Sequence, residues 1–368
     1  MKLVQAIGVP SHLFVQHMRH SFLAALASLL VLAGTAQKKQ YRPVVFGFYN
    51  LENLYDTINN PAVDDEEFLP TAERQYNSRV YTDKLMRLAT VVSQIGTEFN
   101  PDGLAFLGVA EIENDTVLRD LANQELLRAR GWRYVHYNSP DVRGIDVGMF
   151  YHPKYFRVLE SAPLFVQLPG GAKDAYYTRD VLYVKGVMAG DTVYVFVNHW
   201  PSRRGGEERS APGRAAAAQV CKNKIDSIQA ENPLAKIVVM GDLNDDPISP
   251  SITKVLGAKG KIEDIKKPTQ LFNPWVDFYK KGIGTLAYQD SWGLFDQIIL
   301  SGAWLDKEQK GFHFHRALIF NREFMVQKTG RFRGYAKRTW DGIVYNYGYS
   351  DHFPTYISTL MPVDAKPE

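Results

Sequence analysis

The chain has 368 residues, of which 45% are hydrophobic and 12% aromatic, so it can bury a substantial core and is predicted to be globular. Its single cysteine, Cys221, excludes an intramolecular disulfide. The formal net charge of +3 at pH 7 is too small to argue for or against a polyanionic partner.

The N-terminal region carries an apolar run of about fifteen residues, 22–36, which is too short to cross a membrane comfortably and ends in small residues. We interpret residues 1–36 as a signal peptide, with Met18 as a possible true start and cleavage before Gln37. An uncleaved membrane anchor is the alternative. The signal peptide predicts a secreted or periplasmic protein with no stable membrane span after cleavage.

Residues 37–368 are predicted to form a single domain, because no repeat, low-complexity tract or flexible linker divides them. Segments rich in Val, Ile, Tyr and Phe are predicted to be strands at 44–49, 104–109, 147–151, 181–187, 193–198, 237–241, 297–301 and 353–358. Helices are predicted at 82–99, from Asp115 or Thr116 to 130, and from Pro212 to 230, the last with Cys221 as a packing residue. This mixed order predicts an α/β or α+β architecture with catalytic groups on loops.

Polar residues cluster where these predicted strands begin or end. Seven such segments occur, at 50–53, 111–114, 143–146, 198–204, 242–247, 296–297 and 350–354. A single segment of this kind is often a turn, because Asp and Asn bond to their own backbone. Seven in one chain are harder to explain as turns, and their oxygen atoms suit Mg²⁺ or Mn²⁺ while a nearby His can move a proton. The pattern predicts metal-assisted cleavage of a phosphate ester.

In these motifs the sequence resembles the endonuclease/exonuclease/phosphatase superfamily, of deoxyribonuclease I type, from Asn50 to His352. The segments 143–147 and 198–206 look most like its bacterial extracellular-nuclease branch. The resemblance implies a four-layer α/β sandwich, in which two mostly antiparallel sheets pack face to face with helices outside and the active site at one end. It also implies a hydrolase that uses Mg²⁺. Mn²⁺ or Ca²⁺ could replace Mg²⁺ or act beside it.

The resemblance further assigns roles to single residues. The metal site it implies comprises Glu111 as the main ligand, with Asn50 and Asp351 close to the ion. It implies five catalytic residues. Asp242 would orient or deprotonate water, and Asn244 would hold a phosphate oxygen. His352 would pair with Asp296, and His199 would contact the scissile phosphate or serve the leaving oxygen. A cation with His and Asn donors is what the transition state of a phosphodiester needs, since negative charge builds up there.

Several assignments stay open between a functional and a structural role. Glu113 competes with Glu111 as the ligand, and Glu52 is either a ligand or a turn cap. Asp146 either orients His199 or forms a salt bridge with Arg143. The residues predicted to have no catalytic role are the solvated loop charges Asp245 and Asp246 and the packing or surface residues His136, His152, His313 and His315.

Basic residues near two of the motifs bear on the substrate. Arg143, Arg203 and Arg204, with Trp340 as an aromatic platform, are predicted to bind substrate in a basic groove of the kind that binds nucleic acid. A solvated basic face is the alternative, because Glu207 and Glu208 interrupt the cluster. We therefore predict an exported nuclease acting on DNA or RNA, without a protein partner. A hydrolase of lipid or small-molecule phosphoesters and a non-catalytic binding protein are the alternatives.

Overall fold

Seventeen strands and five α-helices make up the part of the chain that the computed structural model describes, residues 40–170, 177–306 and 311–363. The predicted signal peptide, with its alternative start, lies outside these residues. By their contacts, residues 42–362 form one compact unit, apart from the short interruptions at 171–176 and 307–310 that lie outside the description. Within the described ranges, no helix is long and apolar enough to cross a membrane.

The elements follow one another in a mixed order. The strands are β1 Gln40–Leu54, β2 Phe106–Ile112, β3 Arg133–His136, β4 Asp146–Tyr151, β5 Phe156–Leu164, β6 Val181–Met188, β7 Asp191–His199, β8 Lys236–Asp242, β9 Ala258–Lys259, β10 Leu271–Phe272, β11 Leu286–Tyr288, β12 Ser291–Gly293, β13 Asp296–Ser301, β14 His313–Ile319, β15 Trp340–Asp341, β16 Val344–Tyr345 and β17 Thr355–Val363. The helices are α1 Ser78–Val92, α2 Asp115–Ala122, α3 Glu125–Arg128, α4 Glu207–Glu231 and α5 Val276–Lys280.

Two large sheets contain most of these strands, while β11 with β12 and β15 with β16 form two separate two-stranded sheets. The first has six strands in the order β14-β17-β1-β2-β4-β3, and the second has seven in the order β5-β6-β7-β8-β13-β10-β9. The pairs β1 with β2, β7 with β8 and β9 with β10 are parallel. The pairs β2 with β4, β5 with β6, β6 with β7 and β8 with β13 are antiparallel. The predicted two-sheet, mostly antiparallel architecture is confirmed.

The hydrophobic core lies in three layers because side chains alternate between the two faces of each strand. On β1, Phe46 and Phe48 belong to the cluster between the sheets, whereas Val45 and Tyr49 pack with α1 and α2 on the outer face. On the second sheet, the outer face packs against α4. The sheets pack closely at Gly108, where an added Cβ would lie 2.6 Å from Met240 Sδ. This is the four-layer sandwich that the family resemblance implied.

The eight predicted strands all occur. The structure also contains strands that were not predicted, and three of these are longer than three residues. These are β3, β5 and β14, which lie at sheet edges and carry exposed polar residues. Edge strands need such residues to discourage pairing with another chain, so they lack the apolar run that marks a buried strand.

The helix boundaries differ from the predicted ones for local reasons. The Asn77 side chain caps α1, which ends at Val92, before the predicted residue 99. Asn114, rather than Asp115 or Thr116, caps α2. Pro212 lies inside α4 instead of starting it, because the chain turns earlier, at Gly205 and Gly206, whose φ angles are 79° and 111°.

Candidate active site

The polar segments of the two sheets meet at one end of the sandwich. Asp242, the last residue of β8, is paired in register with His199 on β7 and with Asp296 on β13. The preceding Gly241 permits this pairing, because a Cβ there would lie 2.3 Å from the Asn198 carbonyl oxygen. In the first sheet, Asn50 pairs in register with Ala110, so that Glu111 follows at the same strand end.

Asn50 connects the two carboxylates of the site. Its Nδ2 atom donates to Glu111 Oε1 and to Asp242 Oδ2, both at 3.1 Å. Its Oδ1 atom accepts the backbone N–H of Glu52 at 2.9 Å. The resemblance placed Asn50 close to the metal, and its side chain does lie between two of the candidate ligands. Its amide nitrogen faces their carboxylates, so in this arrangement Asn50 orients them.

Several residues of the site have left-handed backbone conformations. The φ angles are 49° at Glu52, 51° at Asn53, 59° at Glu111 and 48° at Asn244. Residues other than glycine adopt this conformation only where the surroundings hold them, and such strain concentrates at functional sites. Here it directs the Asn53 N–H to Glu111 Oε2 at 2.9 Å and the Asn244 N–H to Asp242 Oδ1 at 3.0 Å.

His199 is a buried, neutral imidazole. Its Nε2 atom lies 3.8 Å from Glu111 Oε1 and 3.7 Å from Asp242 Oδ2. Burial, with help from the nearby charges of Arg179 and Arg143, holds the pKa of His199 well below its usual value. Its Nδ1 atom has no hydrogen-bond partner within the described residues.

His352 is the opposite case. Burial alone would lower its pKa, but the Asp296 carboxylate, whose Oδ2 atom lies 2.7 Å from His352 Nδ1, raises the pKa well above the usual value. Its Nε2 atom faces Asp242 Oδ2 at 3.9 Å. The site therefore holds one protonated and one neutral histidine, which is how a protein separates two histidines into different roles.

Asp242 lies between these histidines and is only 3% exposed. Burial, followed by the charges of Asp296 and Glu111 against the opposing effect of His352, raises the pKa of Asp242 to about 7. A carboxyl group with such a pKa can accept a proton near neutral pH.

Three of these residues fit a divalent cation. Glu111, His199 and Asp242 each offer one ligand atom, and the three atoms lie within 4.8 Å of one another. A positive charge between two carboxylates that face each other would favour their charged forms, and oxygen atoms with an imidazole suit several divalent metals. Asp351, which was predicted to lie near the ion, is about one-third exposed and ion-paired with Arg338 at 3.5 Å. Among the described residues, Asp351 is not part of this group.

The structure places the residues that the sequence left open away from these ligand atoms. Glu52 accepts the Thr339 N–H at 2.6 Å, and Glu113 accepts the Asp56 N–H at 2.7 Å, so Glu111 alone of the three points to His199 and Asp242. Asp146 contacts neither His199 nor Arg143. It pairs instead with His136, whose Nε2 atom lies 2.9 Å away.

Two of the four residues that were predicted to bind substrate instead make contacts within the protein. The guanidinium of Arg203 contacts the carboxylates of Asp246 at 3.0 Å and Glu207 at 2.9 Å. Trp340 is 7% exposed and packs with Tyr76, so it offers no exposed platform for a base. The other two, Arg143 and Arg204, are partly or fully exposed.

Asp245 and Asp246 were predicted to be solvated loop charges, and that prediction is wrong. Asp245 is 3% exposed, and its carboxylate lies 2.7 Å from Arg214 Nε. Asp246 accepts the Leu294 N–H at 2.9 Å in addition to its pair with Arg203. These carboxylates hold α4 and its preceding loop against the loop that carries Asn244.

Sequence reasoning missed two buried residues that support the site. Arg179 donates to the carbonyl oxygens of His199 at 3.1 Å and Trp200 at 2.8 Å and pairs with Asp141 at 3.1 Å. Lys84 donates to the carbonyl oxygen of Glu52. Arg179 and Lys84 lie outside the polar segments at strand ends, so the pattern that revealed the site gave no signal for them.

Comparisons with known proteins agree with this geometry. The model of the Endonuclease/Exonuclease/phosphatase family matches residues 45–360. No curated protein sequence matches the chain significantly.

Solved structures share the fold at low sequence identity. An endonuclease/exonuclease/phosphatase family protein from Bacteroides thetaiotaomicron is 15% identical with a TM-score of 0.52, over 90% of this chain and 99% of that one. A mannosyl-6-phosphatase from the same organism is 16% identical with a TM-score of 0.51, over 86% and 99%. D. rerio TDP2, complexed with a single-strand DNA product, is 14% identical with a TM-score of 0.52, over 86% and 98%.

Proposed function

The chain belongs to the endonuclease/exonuclease/phosphatase family, and on that premise we propose that it is a divalent-cation-dependent phosphoester hydrolase, specifically an exported nuclease that cleaves DNA or RNA. The observation that carries the proposal is the convergence of Glu111, His199 and Asp242 within 4.8 Å, beside the protonated His352. Carboxylates, a neutral imidazole and a cationic imidazole in one buried place are what hydrolysis of a phosphate ester needs.

Asp242 is the residue that handles the attacking water. Its Oδ1 atom is held by the Asn244 N–H, while its Oδ2 atom faces His199 and His352. A water bound at Oδ2 would transfer its proton to Asp242 as its oxygen bonds to phosphorus and the bond from phosphorus to the leaving oxygen breaks. The pKa of about 7 makes Asp242 a suitable acceptor for that proton.

The two histidines and Asn244 serve the phosphate. Protonated His352, fixed by Asp296, supplies positive charge at its Nε2 atom, whereas neutral His199 can donate one N–H to a phosphate oxygen. Asn244 uses one hydrogen of its Nδ2 atom on the Trp200 carbonyl oxygen and keeps the other for a phosphate oxygen. When bound at Glu111, beside Asp242, a cation such as Mg²⁺, Mn²⁺ or Ca²⁺ would neutralise charge on the phosphate as the transition state forms.

The nuclease assignment rests on exposed basic residues near the site. Arg143 has a side chain that is 40% exposed, and Arg204 lies in the exposed loop after the His199 segment. Both suit contacts to a phosphate backbone. The similarity in fold to D. rerio TDP2, whose structure holds a single-strand DNA product, agrees with this assignment.

A second candidate is hydrolysis of a small phosphomonoester. It is favoured by the burial of Trp340 and the occupation of Arg203 by carboxylates, which remove half of the predicted nucleic-acid contacts. The similarity in fold to a mannosyl-6-phosphatase agrees with it.

Export rests on the apolar run at residues 22–36. We expect a mature protein that begins at Gln37, whether synthesis starts at Met1 or Met18. Mass spectrometry of protein from the medium or periplasm checks this. Full-length protein retained in the membrane fraction would contradict it.

A substrate panel tests the proposed activity. The protein is incubated with plasmid DNA, single-stranded RNA, p-nitrophenyl phosphate and a lipid phosphodiester, in Mg²⁺, Mn²⁺, Ca²⁺ or EDTA. His199→Ala is assayed beside it, with the exposed His315→Ala as the matched control. We expect nucleic-acid cleavage that needs the cation and is lost only in His199→Ala. Cleavage of the monoester alone would replace the nuclease assignment with the second candidate, and inactivity on every substrate would overturn both.

A further inference from the structure

Lys84 is a lysine with no solvent exposure, on the buried face of α1. Its ammonium group donates to the carbonyl oxygen of Glu52 and, at 2.9 Å, to the hydroxyl of Thr339. Thr339 in turn donates its backbone N–H to Glu52 Oε2 at 2.6 Å. Lys84 and Thr339 therefore hold Glu52 by its backbone and by its side chain at once.

Glu52 connects this buried cluster to the candidate active site. Its N–H donates to Asn50 Oδ1 at 2.9 Å, and the next N–H, that of Asn53, donates to Glu111 Oε2 at 2.9 Å. Both Glu52 and Asn53 have left-handed backbones, with φ of 49° and 51°. These conformations are unfavourable for such residues unless other contacts hold them. Lys84 supplies a contact at the carbonyl group between the two strained residues.

The ammonium charge of Lys84 also interacts with carboxylates in and near the site. Burial lowers the pKa of Lys84, and the carboxylates of Glu52, Asp351 and Glu111 act in the opposite direction. Burying an ammonium group is unfavourable, and a buried ion pair is often no more stabilising than apolar side chains of similar volume. Stability alone therefore gives no reason for a lysine at this position.

We propose that Lys84 is a positioning residue of the active site, which fixes the strained turn 52–53 so that Asn50 and Asn53 present Glu111 to the cation. The inference rests on the proposed function. Lys84 touches neither substrate nor cation in this role. It acts through backbone groups that orient a ligand, as residues outside the ligand shell do in many metal sites.

Lys236 offers a control, because it is a second buried lysine that also donates to a backbone carbonyl oxygen. It is 5% exposed, and its ammonium contacts Asp191 Oδ2 at 2.6 Å and the Phe312 carbonyl oxygen at 2.7 Å. It starts β8, whereas Asp242 ends the same strand. Loss of its charge should affect stability without affecting the site.

The experiment compares Lys84→Met with Lys236→Met in the full chain. Two quantities are measured: the Kd of Mn²⁺ alone, by calorimetry, and kcat and KM on the phosphoester that the wild-type protein cleaves fastest. For Lys84→Met we expect a 10- to 100-fold loss in kcat or in Mn²⁺ affinity, about the range seen when support of a metal ligand is removed, with little change in KM. For Lys236→Met we expect a lower Tm with wild-type Kd and kcat.

Thr339→Val covers the case in which Lys84→Met does not fold. This change removes one acceptor of Lys84 but keeps the backbone N–H that binds Glu52. We expect a smaller loss in the same direction. Wild-type kcat and Mn²⁺ affinity in a folded Lys84→Met, or in Thr339→Val if only that variant folds, would overturn the inference and leave the proposed function standing. A wild-type protein that binds no Mn²⁺ and cleaves no phosphoester would overturn both.

Discussion

The two ends of the second sheet carry similar residues in opposite electrostatic arrangements. At the end of β7 and β8, His199 and Asp242 face Glu111 in a place where carboxylates outnumber their partners. At the start of the same strands, Asp191 pairs with Lys236 at 2.6 Å. At the start of the strands, the buried carboxylate has a cationic partner. At the other end, the carboxylates exceed the cationic groups and could bind a cation. Buried polar residues alone therefore do not identify an active site, whereas buried charges without matching partners point to one.

The largest expected effect comes from exchanging a carboxylate for an amide at each end. Asp242→Asn should lower kcat by about 10³-fold, because it removes the group that accepts the proton. Its Tm should not fall, since the change relieves repulsion between carboxylates. Asp191→Asn should do the reverse, with wild-type kcat and a loss of about 2 kcal/mol in the free energy of unfolding, because Lys236 loses a charged partner. Equal losses of activity in both variants would show that the two ends of the sheet do not differ in function.

The next effect compares the two ends of β13. Asp296→Asn should lower kcat by about 10²-fold, because His352 loses the charge that keeps it protonated. Ser301→Ala removes a hydroxyl that donates to the Ala235 carbonyl oxygen at 2.8 Å, and should lower only stability, by about 1 kcal/mol. Steady-state kinetics and urea unfolding measure the pair. Wild-type kcat in Asp296→Asn would show that His352 needs no protonation.

A smaller effect is stabilisation by the cation. Mn²⁺ at about 100 times its Kd should stabilise the wild-type protein by about 2.7 kcal/mol, since it binds the folded state. Glu111→Gln should lose this gain, and Asp191→Asn should keep it. Thermal unfolding with and without Mn²⁺ measures the difference. The same gain in all three proteins would place the ion elsewhere.

The smallest effect concerns His136, a histidine outside the site whose two nitrogens contact Asp146 at 2.9 Å and Asp115 at 2.8 Å. Burial opposes its protonation, but the hydrogen bonds to the two carboxylates raise its pKa above 6.5. A pKa raised by folding gives stability that is fully present below the unfolded pKa and is lost as pH rises through the folded pKa. The stability difference between wild type and His136→Gln should therefore be larger at pH 6 than at pH 9, by urea unfolding. A difference that grows with pH would contradict the assignment.

The buried strands and most of the polar residues at their ends could be predicted from the sequence. Apolar runs mark central strands, and the segments at 242–247 and 350–354 follow or precede such runs directly. Edge strands could not be predicted in the same way. Strands β3 and β5, for example, mix charged and apolar residues because one side of each is open to solvent.

The supporting residues could not be predicted because their contacts join distant parts of the chain. Lys84 and Thr339 are 255 residues apart. The burial of Trp340 depends on Tyr55, Phe68 and Tyr76, which belong to a separate segment. Asp245 looks like a loop charge until α4 brings Arg214 to it. A single sequence gives the type of such residues but not their partners.

Anomalous diffraction from crystals soaked in Mn²⁺ would show directly whether a cation binds at this end of the sandwich. We expect a peak beside the Glu111 and Asp242 carboxylates in the wild-type protein, and no peak there in Glu111→Gln. A strong peak elsewhere, or an undiminished peak in the variant, would contradict the claim that this end of the sandwich is built for a cation.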